Sequence, residues 1–150
     1  MKGFSYPYNP EIHAAARGVG VNISPKAARE VCHALKGMEL VKAKSYLERV
    51  MVLEQAVPFK RHDGKVGHRK GKGMSSGRYP VKTAAAILKI IESAENNGEA
   101  IHIDIENWRI VHIATSRGVS FEGRFPRARG RATPKMRESA NVEVVLEEIK

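Results

Sequence analysis

Cysteine occurs once, as Cys32, so no disulfide can form within the chain. It falls on the apolar stripe of a helix and reads as a small core residue rather than a nucleophile. No apolar run approaches a membrane span, and Met1 to Pro10 carries no apolar signal core. The expectation is a cytoplasmic protein without membrane insertion, although Asn22-Ile23-Ser24 matches a glycosylation sequon. Metal-ligand spacing is missing too. His62 and His68 have only Asp63 beside them and no cysteine nearby, which argues against zinc. His13, His33, His102 and His112 stand at no useful spacing from a nucleophile or paired carboxylate, and Glu143, Glu147 and Glu148 read as solvated charges. The glycines around Lys70 and Lys72 miss the P-loop pattern, with three residues between Gly67 and Gly71 and no strand before them. No enzyme, cofactor or metal is expected.

Acidic residues are also scarce: 16 against 26 Lys and Arg, for a net charge of +10 and a pI near 9.9. Such a balance points to a polyanion. With 150 residues, 42% of them apolar and 6% aromatic, the chain can bury one modest core. The excess charge is concentrated. Lys60, Arg61, Lys65, Arg69, Lys70, Lys72 and Arg78 face one acid, Asp63, in the run 60–78. Arg117, Arg124, Arg127, Arg129, Arg131, Lys135 and Arg137 face only Glu122 in the run 117–137. Each run nets +6, so the rest of the chain nets −2.

The second run lies between two strand-like stretches, WRIVHIATSRG before it and NVEVVLEEI after it. In the latter, Val142, Val144 and Leu146 alternate with Glu143, Val145 and Glu147. The simplest joining is a long antiparallel hairpin turned at Gly130, the residue there that accepts positive φ cheaply. A strand from Trp108 to Phe121 reaches about 45 Å, so the tip should project beyond the body. A bare ribbon is marginal in water, and this one should order fully only against an anionic partner. The bland alternative is a solvated, charged loop. Arginine dominance favours bidentate phosphate contacts instead.

Elsewhere, Arg17 to Ile23 predicts a short strand with Val19, Val21 and Ile23 on one face. Ser24 and Pro25 predict a capped helix start, with Ala28, Val31, Cys32 and Leu35 at helical spacing and Gly37 closing it. A second helix is expected from Glu39 to Gln55, with Leu40, Ala43, Leu47, Val50 and Met51 as its stripe and Pro58 beyond it. The glycine-rich run 60–78 reads as flexible backbone that moulds to phosphates. Pro80 opens a third helix to Asn96, with one face formed by Val81, Ala84, Ala85, Leu88 and Ile91 and widened by Ile87, Ile90 and Ala94, and with Asn97-Gly98 as its stop. Ile101 to Glu106 alternates like a short strand, and Trp108 anchors the hairpin base.

Pro126-Arg127-Ala128-Arg129-Gly130-Arg131-Ala132, followed by a basic run and the strand Asn141 to Glu148, resembles the L-twenty-two family of large-subunit ribosomal proteins in its archaeal–eukaryotic form. Ser24-Pro25-Lys26 and Tyr79-Pro80-Val81-Lys82 match in order, and the resemblance covers nearly the whole chain. The run 60–78 departs from the shorter bacterial pattern. The resemblance implies an α+β fold, three helices packed on a small three-stranded antiparallel sheet, with the hairpin threading ribosomal RNA to the peptide exit tunnel. The implied parts are a body of residues 1–107 and 142–150, a basic loop at 58–79 and a hairpin at 108–144. The tunnel tip would be Arg127, Ala128, Arg129, Gly130 and Arg131. Implied partners are large-subunit ribosomal RNA, neighbouring ribosomal proteins and the nascent polypeptide, with no homo-oligomer. The resemblance also implies a structural role in RNA folding and assembly, bound to the ribosome in the cytoplasm. The residues alone leave open an architectural nucleic-acid-binding protein with a groove-inserting basic arm.

Overall fold

The helix signals resolve into three helices in a computed structural model, which describes residues 4–71, 73–100 and 108–148. Helix α1, Pro25–Leu35, begins at Pro25, where a missing N–H costs nothing. Ser24 occupies the cap position, but its side chain makes no capping hydrogen bond, contrary to expectation. Gly37 takes φ +81° and lets the chain turn away from α1. Helix α2, Leu40–Met51, ends four residues earlier than the expected Gln55. Leu53 adopts φ 66°, and the amides of Glu54 and Gln55 both donate to the Arg49 carbonyl. A local cap therefore stops α2 well before Pro58. Tyr46 joins its buried stripe beside Leu47 and Val50.

Helix α3, Val81–Glu99, runs through the expected stop. Gly98 is buried inside it, and a Cβ there would stand 2.1 Å from the Trp108 ring. The glycine is thus a packing notch rather than a terminator. The buried face of α3 is Thr83, Ala84, Ile87, Ile90, Ile91 and Ala94, while Val81 is exposed and Ala85 and Leu88 are half-buried. The expected strand over 101–106 lies outside the described residues.

The main sheet is antiparallel in the order β1-β5-β4. Strand β1, His13–Val21, buries Ala14 and Ala16. Val19, expected to share one face with Val21 and Ile23, is 72% exposed while Ile23 is buried, because the register with β5 breaks between Gly18 and Val21. Strands β4, Trp108–Pro126, and β5, Ala132–Glu148, form the hairpin. Their base is core: Trp108, Ile110 and Ile113 face Val142, Val144 and Leu146, with a bulge between Ile110 and His112 resetting the alternation. The three helices and this sheet give the expected α+β architecture.

The second face of the sheet base is covered by the N-terminal segment. Tyr6 stacks on His112 with ring centroids 5.2 Å apart and meets His13 edge-on. Ser5 hydrogen-bonds Glu143 through both its amide and its hydroxyl, and His112 Nε2 lies 3.1 Å from the same carboxylate. Glu143 is therefore engaged, not solvated. Burial pushes its carboxyl pKa up, but the hydrogen bonds from Ser5 and His112 outweigh burial and hold it below the ordinary value. Glu147 pairs with Arg109 at 3.2 Å. Val145, on the same face, is fully buried.

Candidate nucleic-acid interface

The β4–β5 ladder continues from Trp108↔Glu148 to Pro126↔Ala132. Burial stops near Ile113 on β4 and Ser139 on β5, so everything outward of Arg117 and Glu138 projects from the body. All seven cations of this run are exposed. Its tip is a tight turn over Ala128–Gly130, closed by the Arg127 amide donating to the Arg131 carbonyl at 2.7 Å. Gly130 has φ +67°, as expected, but Arg129 is left-handed as well at φ 61°. The reversal is thus shared between two left-handed residues.

The run 60–78 is anchored where the sequence suggested free backbone. Strands β2, Val57–Pro58, and β3, Gly77–Arg78, pair at its root, and His68 bridges to Ser76 farther out. Phe59 is buried beneath it, with the Arg78 guanidinium 5.7 Å over its ring, and Arg69 lies 5.5 Å over Tyr79. Glu30 of α1, 1% exposed, accepts the amides of Lys60 at 2.9 Å and Arg61 at 3.3 Å. A buried carboxylate needs such donors, and here they moor the start of the basic segment to the body. Lys60, Arg61, Lys65, Arg69, Lys70 and Arg78 are all exposed; Lys72 lies outside the described residues.

An open cleft of about 1390 Å³ brings parts of the two basic segments together. Arg61 and Arg78 come from the loop and Arg137 from the hairpin. The first turns of α1 and α3 add Lys26 and Lys82, along with the positive ends of two helix dipoles. Glu138 is the one acid in the lining. The tip arginines, Lys65 and Lys70 are not part of it. Sequence reasoning passed over Lys26 and Lys82. Their signal was present, since each follows a proline that opens a helix, but only the fold turns both helix starts toward one cleft.

Among the described residues, every ion pair lies in the body or at the base of the hairpin: Arg29–Glu30, Lys42–Glu39, Lys44–Glu95, Arg109–Glu147 and His112–Glu143. No cation of either basic segment has a carboxylate partner there. No group of three or more His, Cys, Asp or Glu among these residues is placed to hold a metal, and no described helix is long and apolar enough to cross a membrane. Fold and surface together define a small α+β protein that presents unneutralised cations on a projecting β-hairpin and in a cleft at its foot.

Residues 16–147 match the family described as ribosomal protein L22p/L17e. A large ribosomal subunit protein uL22 from Methanocaldococcus jannaschii is 49% identical over 141 residues, covering 93% of this chain and 90% of its own length. The proteins of the same name from Methanococcoides burtonii and Methanosphaera stadtmanae are each 47% identical, covering 93% and 96% of this chain and 92% and 96% of their own. The chain belongs to the L22p/L17e family of ribosomal proteins, a family of structural components and not of enzymes.

Proposed function

We propose that this protein is a structural constituent of the large ribosomal subunit that binds its RNA through both basic segments, aids the folding and assembly of that RNA, and reaches the nascent-peptide exit tunnel with the tip Arg127 to Arg131. It works bound to the ribosome in the cytoplasm, beside neighbouring ribosomal proteins. The observation that carries the reading is the charge layout. Among the described residues, no cation of the outer hairpin or of the loop has a carboxylate partner, and Arg61, Arg78 and Arg137 meet at one cleft. Backbone phosphates are the ligand that such a surface attracts without regard to sequence. The organisation follows: residues 1–107 and 142–150 form the body, 58–79 the basic loop on it, and 108–144 the hairpin.

Titration of the protein with large-subunit RNA at increasing salt tests the electrostatic part. With roughly six phosphates neutralised, log K falls against log salt with a slope of about −4 to −5. A flat titration would overturn it. Deleting Arg127 to Arg131 tests the tunnel part. Subunits should still accumulate, since the buried residues all lie in the body and the hairpin base, while pausing by tunnel-sensitive nascent peptides should change. Unchanged pausing on assembled subunits would remove the tip from the tunnel wall.

A further inference from the structure

The register of the outer hairpin sorts its side chains onto two unlike faces. Directly opposed residues of an antiparallel pair share a face, and faces alternate along each strand. One face therefore carries Phe121 opposite Arg137, Gly123 opposite Lys135, and Phe125 opposite Thr133. The other carries Ser120 opposite Glu138, Glu122 opposite Met136, and Arg124 opposite Pro134. Both acids of the projecting ribbon fall on the second face. Both aromatic rings fall on the first, with two cations between and beside them. Phe121 is 63% exposed and Phe125 46%, in a protein whose one tryptophan and whose Phe59 are buried. The Lys135 ammonium stands 4.2 Å over the Phe125 ring, and Arg127 is drawn toward the same face by its Nε–H bond to the Thr133 hydroxyl at 3.2 Å.

We propose that this face is a stacking platform for unpaired RNA bases, with Phe121 and Phe125 each receiving a base and Lys135 and Arg137 taking the flanking phosphates. The inference rests on the reading of the protein as an RNA binder and says which side of the hairpin meets the RNA and by what contact. Exposed rings set beside cations along one face of an extended ribbon are the arrangement that binds single-stranded nucleic acid. There stacking supplies sequence-tolerant affinity and the cations supply the salt-dependent part. The rings stand about 13 Å apart, four residues along the strand, so they serve two separate bases rather than one. The opposite face cannot do the same work. It lacks a ring, and Glu122 and Glu138 repel phosphate from it.

The test uses the full-length protein with a mixed-sequence single-stranded RNA and a duplex RNA of the same length, read by fluorescence anisotropy across a salt series. For the double variant F121L/F125L, binding of the single strand should weaken by about tenfold or more, at an unchanged salt slope, because stacking releases no counterions. K135Q should instead make the slope shallower by about 0.7. S120A, on the opposite face and outside the cleft, should bind as wild type. Thermal melting confirms that each variant folds. A loss of less than about twofold for the double variant would overturn the platform, as would an equal loss for S120A. An equal loss on the duplex probe would show that the rings act as wedges and not as platforms for unpaired bases, which also overturns it. Wild-type binding to both probes without salt dependence would overturn the RNA reading itself, and the platform with it.

Discussion

Replacing Glu30 with alanine should release the root of the basic loop while leaving its charge intact. The Glu30 carboxylate is 1% exposed and accepts two amide hydrogens, from Lys60 at 2.9 Å and Arg61 at 3.3 Å, with the Arg29 guanidinium 3.5 Å away. Hydrogen bonds to a charged group are each worth about 1.5–3 kcal/mol. The second is long, and both donors belong to exposed residues that water can reach once the carboxylate is gone, so the pair contributes nearer to the lower bound. Removing the carboxylate also removes its own desolvation cost. A net loss of about 2 kcal/mol remains, equivalent to a fall in Tm of about 4–8 °C for a chain of this size. Hydrogen exchange at Lys60 and Arg61 should accelerate in step. Glu30→Gln keeps one acceptor oxygen and should lose roughly half as much. RNA binding by Glu30→Ala should weaken modestly with the same salt slope, since no cation has been removed. Melting within about 1 °C of wild type, with amide exchange unchanged, would refute the view that Glu30 moors the loop.

Gly98→Ala should lower Tm even though alanine is the better helix former by about 1 kcal/mol, because its Cβ would lie 2.1 Å from the Trp108 ring and overpacking costs about 1–3 kcal/mol; a higher Tm would show that the ring yields freely. Gly130→Val should strain the tip by about 1–2 kcal/mol at φ +67°, seen as faster amide exchange around Arg127 while the body melts unchanged. Cys32, its thiol pKa pushed up to about 12 by burial despite an opposing backbone hydrogen bond, should resist alkylation at pH 8 until the protein unfolds; rapid labelling of the native state would contradict this. Glu143 has a lowered pKa in the fold, so its stabilisation is present above the ordinary carboxylate value and fades as pH falls through the folded one. Glu143→Gln should therefore lower Tm at pH 7 and lose that deficit in acid.

Much of the architecture was legible before any coordinates. The arginine run flanked by β-branched stretches predicts a hairpin, because alternation and charge repulsion act over neighbouring residues. Pro25 and Gly37 bracket α1 for the same local reason. The partition of charge follows from counting alone, and the motif around Gly130 marks the family. Other features depend on residues far apart in the chain. Gly98 reads as a helix stop from its neighbours and becomes a notch only because Trp108 packs into α3 there. Glu143 looks solvated on a strand end until Ser5, 138 positions away, folds over it. The run 60–78 looks structureless, yet Glu30 and the β2–β3 pairing hold its root. Lys26 and Lys82 share a cleft with Arg137 only when two helix starts meet the hairpin's foot. The pairing of Phe121 with Arg137 depends on a register offset by a bulge between Arg117 and Ser120, and a one-residue slip would send every outer side chain to the opposite face. Propensity and periodicity specify which elements form, whereas their contacts are selected by burying one shared core, a constraint that belongs to the whole chain at once.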